Sequence, residues 1–491
     1  MELLLRKTSL RREDTKIIWV IMLPALFELV MSQLFGMVDT IMLGHSVDST
    51  VAIAAVGLTN SPFNLFNGMI AAFNNGTTVA VAWAVGAGKR DDARSIVRTA
   101  MMTNALIGLL VSLALYAFAE PIIVFMGAQE DTLDFSVSYL RIIAAGMLPL
   151  SMCYAITGSL RGVGRTRMPM VYNLIANFCN VIGNYALIYG RLGCPQLGVT
   201  GAAISTTLSR YIALLLALGV LFFGHHEVRQ TLRADWLIRL KWLKKIGGVG
   251  GTAAVEQLIM QIGFFVFARK VAGLGTQLFA AHQIALSVNG LTWMPAQAFG
   301  IAATTMVGQS LGAGEKERAE GYMRFIHRVS LLFSLCFAIV FLLFIRQIAL
   351  IYTSDLDVVR LSADALRLIA LGMPGIFTQL PVAAGLRGAG DSKFPLVASA
   401  LGIWIFRVML GSFFIYTLDL KLDGAWLCIT LDQYARAIVV YWRFRTGKWK
   451  YKRVLQREKR ALRIKNGAEA RFFVWAEAGK PACMRALIGA G

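Results

Sequence analysis

The chain has 491 residues, of which 57% are hydrophobic and 16% charged, with a mean hydropathy of +0.61. That is too apolar for an ordinary soluble protein and places the chain in a bilayer. The formal charge of +21 would suggest nucleic acid, but its distribution follows membrane topology instead, so no nucleic-acid partner is expected.

The basic segment at residues 1-16 lacks a short apolar core with a cleavage site, so no removable signal peptide is predicted and the first span stays. Apolar runs long enough to cross the hydrocarbon core then recur. They give twelve spans, near 17-42, 51-82, 96-118, 135-159, 169-190, 197-223, 246-268, 275-307, 326-350, 361-385, 394-417 and 424-444.

The first span carries Glu28 and Asp39. Eleven residues at about 100° each come to about 20° past three turns, so both carboxylates share one face. Ionisable side chains inside a span cost on the order of 3 kcal/mol unless paired or wetted, and are functional candidates for that reason. Asp39 can also be read as a cap at the span end, and Glu28 as half of a structural ion pair with Arg141, Arg210 or Arg407. Pro24 removes a backbone donor from the same helix, so bending is expected there.

After the second span, Gly86-Ala87-Gly88-Lys89 mimics a phosphate-binding loop, but Trp83 and Arg90 stand where that motif needs Gly and Ser or Thr. ATP hydrolysis is excluded on this ground. In the fifth span Asn173, Asn177, Asn180 and Asn184 step by four, three and four along one helix face. Amide oxygens beside a carboxylate suit a monovalent cation or a proton relay, and helix-helix amide contacts are the alternative for Asn173 and Asn177.

A basic stretch at 224-245 links the halves. Glu256 lies a third of the way into the seventh span, His282-Gln283 in the eighth reads as a polar contact, and Asp432 and Arg436 form an expected i,i+4 pair in the last. Six cysteines without CxxC or Cys/His spacing support neither metal nor disulfides. The tail at 445-491 is basic at its start and aperiodic from 467 on, and is read as an irregular appendage.

An internal repeat organises all of this. Leu160 to Pro169 returns 226 residues later as Leu386 to Pro395, Val85 to Arg94 as Leu311 to Glu320, and Gly146-Met147 as Gly372-Met373. Six spans per copy give both halves one orientation, hence a parallel repeat. Of the 49 Lys and Arg, 38 fall on the side that holds both termini and 6 on the other, which places the termini in the cytoplasm and the protein in the cell membrane. Gly frees the backbone of the repeated turns, and their Arg and Lys are read as interface anchors. At the same offset Asp39 falls on Phe265, so the copies differ at their charged positions.

These features expect an all-α integral membrane protein of twelve transmembrane helices in two pseudo-symmetric six-helix bundles, at 17-223 and 246-444. Met37 to His45, the Val85 to Arg94 loop, Leu160 to Pro169, Ala280 to Ile284, Val307 to Gly314 and Leu386 to Gly390 resemble the multidrug and toxic compound extrusion (MATE) family of cation-coupled antiporters. The resemblance implies Asp39 as the ion- or proton-binding carboxylate of the first bundle, with Asn180, Asn184 and Thr206 beside it and Pro24 as the hinge. One branch has an aspartate at Asn184. Glu256 matches a second-bundle glutamate and is a secondary coupling candidate with Glu28, while the family's further aspartate falls on Ile376.

The expected activity is export of organic, often cationic, compounds by a monomer in exchange for H⁺ or Na⁺, with no cofactor and no metal beyond Na⁺ at Asp39. A flippase for a lipid-linked precursor and a membrane-embedded transferase are the alternatives.

Overall fold

The computed structural model describes residues 10, 12–44, 49–128, 130–352 and 356–452. The predicted features at residues 1–9, His45 and the tail from 453, including Cys483, lie outside them. Among the described residues the fold is helical throughout, without strands. The elements are α1 Arg12–Gly44, α2 Ser49–Gly86, α3 Arg90–Ala117, α4 Ala119–Phe125, α5 Glu130–Ala145, α6 Met147–Val163, α7 Arg167–Tyr189, α8 Gly198–Phe223, α9 Leu240–Ala272, α10 Thr276–Ala313, α11 Lys316–Tyr352, α12 Leu356–Gly388, α13 Lys393–Leu401 and α14 Lys421–Arg445.

Each predicted span falls on one of these helices or on a broken pair. Seven are long and apolar enough to cross a membrane by length and composition, and α5 with α6, bent by 40°, makes an eighth. The fourth span is thus two helices meeting at Gly146, not one. The eleventh continues from α13 as a π-helix at Gly402–Leu410 and again at Phe413–Thr417. Gly402 sits against the Asp432 and Arg436 side chains of α14, where a Cβ would lie 2.5 Å from Arg436 Nε. The widened turn brings Arg407 onto the same carboxylate, with Nε 2.8 Å from Asp432 Oδ2.

The repeated turns are built alike. Gly88 and Gly314 have φ of +70° and +89°, and Gly164 and Gly390 +91° and +83°, a left-handed conformation that any side chain would strain. They let α2, α6, α10 and α12 each reverse within two to four residues. This end of the molecule, which also carries the linker and the segment after α14, is called the basic end below.

The linker is shorter than expected, since α9 begins at Leu240 and takes up Lys241, Lys244 and Lys245. Lys241 and Lys245 hold their ammonium groups 4.4 Å over the Trp242 ring. The linker lies down on the first half: Gln230, buried, donates to the Arg94 carbonyl at 3.2 Å. The segment after α14 does the same to the second half. Its Trp449 is fully buried, and Lys450 and Lys452 pair with Glu320 and Asp391.

The halves meet near the basic end through small residues. Gly76 and Gly250 let α2 and α9 cross backbone to backbone, with each glycine against a carbonyl of the other helix. All five described cysteines are free.

Candidate functional site

Asp39 lies in the last turns of α1, half-buried, against α7 and α8. Asn184 donates from Nδ2 to Asp39 Oδ1 at 2.7 Å. Asn180 presents one end of its amide 2.9 and 3.0 Å from the two Asp39 oxygens: with its oxygen on that side, Nδ2 donates to the Ser205 and Thr206 hydroxyls at 3.4 and 3.3 Å, and with the amide turned over, the nitrogen donates to the carboxylate. Ser205 closes the group by donating to the Asn180 carbonyl at 2.8 Å. The structure therefore brings together Asp39, Asn180, Asn184 and Thr206, four residues on three helices.

Asn184 turns its amide N–H to the carboxylate, and its Oδ1 is buried without a hydrogen-bond partner among the described residues. A proton can join this arrangement at the carboxylate alone. A monovalent cation would require Asn184 to turn about its Cβ–Cγ bond so that its oxygen points inward, beside the Asn180 oxygen in its carboxylate-facing orientation.

Among the described residues, Asp39 has no cationic side chain within ion-pair distance, whereas Glu28, Glu256 and Asp432 do. Glu28 accepts from Arg161 Nη2 at 3.0 Å and from Asn173 Nδ2 at 2.7 Å. Glu256 accepts from Arg387 Nη2 on both oxygens, at 2.7 and 2.8 Å, and from Ser399 Oγ at 2.6 Å. Asp432 is held by Arg407 and by Arg436, the latter at 2.5 and 2.6 Å.

The partners of the two glutamates were not foreseen. Arg161 and Arg387 belong to the repeated Leu-Arg-Gly turns and, instead of anchoring the helix ends at the membrane surface, point into the protein. None of Arg141, Arg210 and Arg407 pairs with Glu28. Arg141 stacks over Tyr116 at 5.6 Å, Arg210 over Phe63 at 4.5 Å and Arg407 over Phe264 at 4.8 Å.

The two glutamate sites are images of each other. Arg161 and Arg387 are related by the 226-residue repeat, as are Asn173 and Ser399. Glu28 and Glu256 are 228 apart because the stretch from Glu28 to Gly86 is two residues longer than that from Glu256 to Gly312. With that slip restored, Asp39 falls on Phe267, which is buried at 3% exposure, and not on Phe265, which is 66% exposed. Asn180, Asn184 and Thr206 fall on Phe406, Leu410 and Asp432. The second half thus fills the place of the Asp39 group with apolar side chains and a carboxylate that two arginines neutralise.

Pro24 is buried one turn before Glu28, inside a helix that runs unbroken from Arg12 to Gly44. It cannot donate to the Val20 carbonyl. Thr166, at the start of α7, donates to the neighbouring Ile21 carbonyl at 2.8 Å and lies 3.4 Å from that of Val20, which replaces part of what the proline removed. His282 packs its ring against Trp426, Phe267 and Phe279. A buried asparagine pair that sequence reasoning passed over joins α2 to α3, with Asn74 Nδ2 2.8 Å from Asn104 Oδ1.

The MatE family profile matches twice, over residues 24–186 and 252–413, two copies whose starts differ by the same 228 residues as the two glutamates. The chain is 32% identical to a probable multidrug resistance protein NorM of Thermotoga maritima over 89% of its length and 93% of that protein's. It is 30% identical to the multidrug resistance protein PmpM of Pseudomonas aeruginosa, over 80% of this chain and 82% of that one. A solved structure described as the outward-facing conformation of a multidrug resistance MATE family transporter superposes with a TM-score of 0.82 at 23% identity, over 91% of this chain and 98% of that one. Two others, described as MATE in the straight and in the bent conformation, give 0.82 and 0.81 at 22% identity over the same shares. With its double profile match, its near full-length likeness to multidrug resistance proteins and its shared helical fold, this chain belongs to the MATE family of transporters.

Proposed function

We propose that the protein is a secondary antiporter of the cell membrane that exports organic, often cationic or amphipathic, compounds in exchange for H⁺ or Na⁺, with Asp39 as the coupling carboxylate. The observation that carries this reading is the contrast in partners. Glu28, Glu256 and Asp432 are neutralised by arginines, whereas Asp39 faces the amides of Asn180 and Asn184 with no arginine or lysine on it among the described residues, and is left to take a proton or cation in their place. A buried carboxylate without a fixed counter-charge can change its charge during a transport cycle.

The chemistry follows from that difference. A proton or Na⁺ arriving at Asp39 removes a negative charge from the α1–α7 contact and weakens the hold of Asn184 on the carboxylate, which changes the position of α1. If this lowers affinity for the exported compound, that compound must weaken ion binding by the same factor. An inward gradient then drives export, worth about 2.3 kcal/mol per charge for every 100 mV. The excess of Lys and Arg at the basic end supports placing that end in the cytoplasm. The reading assigns transport of small molecules across a lipid bilayer by a monomer, without a cofactor, and not a chemical transformation.

Proteoliposomes loaded with a fluorescent organic cation, with pH and Na⁺ gradients imposed separately, test it. Efflux driven by one gradient in the parent and absent in Asp39→Asn is expected. Full gradient-driven efflux by Asp39→Asn would refute the assignment.

A further inference from the structure

Among the hydrogen bonds that join the halves at the basic end, two are images under the repeat. Trp83 of α2 donates its indole N–H to the carbonyl of Gly388 at 2.8 Å. Gln309 of α10 donates its amide to the carbonyl of Gly162 at 2.8 Å. Trp83 and Gln309 are 226 residues apart, and so are Gly162 and Gly388. Each half therefore reaches across with the last turn of its second span and grips the Leu-Arg-Gly turn of the other. Thr305 adds a donor to the Arg161 carbonyl at 2.9 Å, and Asp14 at the start of α1 accepts from Arg318 and Tyr322 of α11 at 2.8 and 3.1 Å.

The backbone is shaped for this grip. A Cβ on Gly312 would come 2.6 Å from the Trp83 carbonyl oxygen, and one on Gly86 would collide with the carbonyl of Gln309, so the α2 and α10 ends cross in contact only because both positions are glycine. Gly390 leaves room for the Trp83 ring, whose carbons would lie 2.9 Å from a Cβ there. The carbonyls of Gly162 and Gly388 lie in the last turns of α6 and α12, beyond the run of helical N–H donors, whereas that of Arg161 already accepts from the Gly164 N–H at 2.9 Å and takes Thr305 as a second donor.

We propose that Trp83 and Gln309 are the two arms of a reciprocal latch that holds the basic end shut, with the Leu-Arg-Gly turns as its catches. Each catch is tied to the first helix of its own half, since Arg161 binds Glu28 of α1 and Arg387 binds Glu256 of α9. A shift of α1 at Asp39 is thereby passed to the latch through a buried ion pair. This second step rests on the antiport reading above; the latch itself does not.

The test uses the full chain in lipid nanodiscs with its native cysteines replaced and spin labels at Lys89 and Lys393, exposed positions of the two halves at the basic end. Their distance is read by pulsed electron resonance without substrate or gradient. Trp83→Phe and Gln309→Met each remove one donor. Thr305→Val, which is isosteric, serves if the tryptophan variant does not fold. With about fivefold per lost hydrogen bond, each single variant raises the ratio of open to closed molecules about fivefold, and the double variant about 25-fold. A second label pair, at Lys89 and at Arg233 of the linker that lies on the first half, keeps its distance. Unchanged distances in all variants, or equal broadening of both label pairs, would overturn the latch. Because no gradient is applied, absence of ion-driven efflux would count against the antiport reading and leave this result standing.

Discussion

Asn184 follows Asp39 by 145 residues, and Asn173 follows Glu28 by the same 145. Two contacts at one sequence separation, eleven residues apart on each helix, mean that α1 and α7 run parallel in fixed register, with three turns between the contacts. The asparagine face of α7 is thus divided. Its lower part serves a carboxylate that an arginine has already neutralised, and its upper part serves one that has no such partner.

Removing one donor from Asp39 should therefore impair transport without unfolding the protein. Asn184→Leu is expected to lower gradient-driven efflux about tenfold or more, the scale of a hydrogen bond to a charged group. Asn173→Leu, whose carboxylate keeps Arg161, should lower it far less. Efflux rates of the two variants in matched proteoliposomes decide this.

The glutamate-arginine pairs should behave as stability elements of equal rank. Breaking a buried pair from one side costs on the order of 3 kcal/mol because the remaining charge is stranded. Glu28→Ala and Glu256→Ala are expected to lower the thermal midpoint in detergent by similar amounts. Glu256→Gln with Arg387→Met should recover part of the loss, and thermal unfolding followed by tryptophan fluorescence reads all of these.

The contact between Thr166 and α1 makes a separate prediction. Thr166→Val keeps the shape of the side chain and removes the donor to the Ile21 carbonyl, at a cost of about 1 kcal/mol. Amide hydrogen exchange in α1 around residues 21–27 should rise in this variant and stay unchanged in the outer half of the helix.

His226, in the linker, donates from Nε2 to the Val220 carbonyl at 3.0 Å, and burial pushes its pKa below the ordinary value of 6.5. A histidine whose charged form is disfavoured in the folded state binds fewer protons there than when unfolded. Its contribution is therefore fully present above pH 6.5 and is lost as the pH falls below that value. Thermal stability should drop between pH 7.5 and 5.5, and His226→Gln should flatten that part of the curve.

Much of the fold could be read from the residues because hydrophobic length and the positions of Lys and Arg determine span number and direction directly. The four carboxylates were equally visible, since a charge in an apolar run stands out. Their partners were not. Arg161 and Arg387 lie next to glycine turns, where an arginine at the end of a span ordinarily reaches for the membrane surface, and only packing shows that they turn inward. The kinship of Glu28 and Glu256 was hidden by two extra residues between Glu28 and Gly86, enough to defeat a fixed offset. The π-helical turns of the eleventh span leave no trace in hydropathy at all, because they depend on Asp432 and Arg436 of another helix pressing on Gly402.

Arg407 and Arg436 on Asp432 have a consequence for the energetics of a whole cycle. If exchange runs through Asp39, the duplicated half contributes no second exchangeable charge, since its carboxylate already carries permanent counter-ions. The stoichiometry is then one coupling ion per turnover. A proton gradient of one pH unit could sustain at most about a tenfold accumulation of a neutral compound outside, half the exponent that two working copies would have provided.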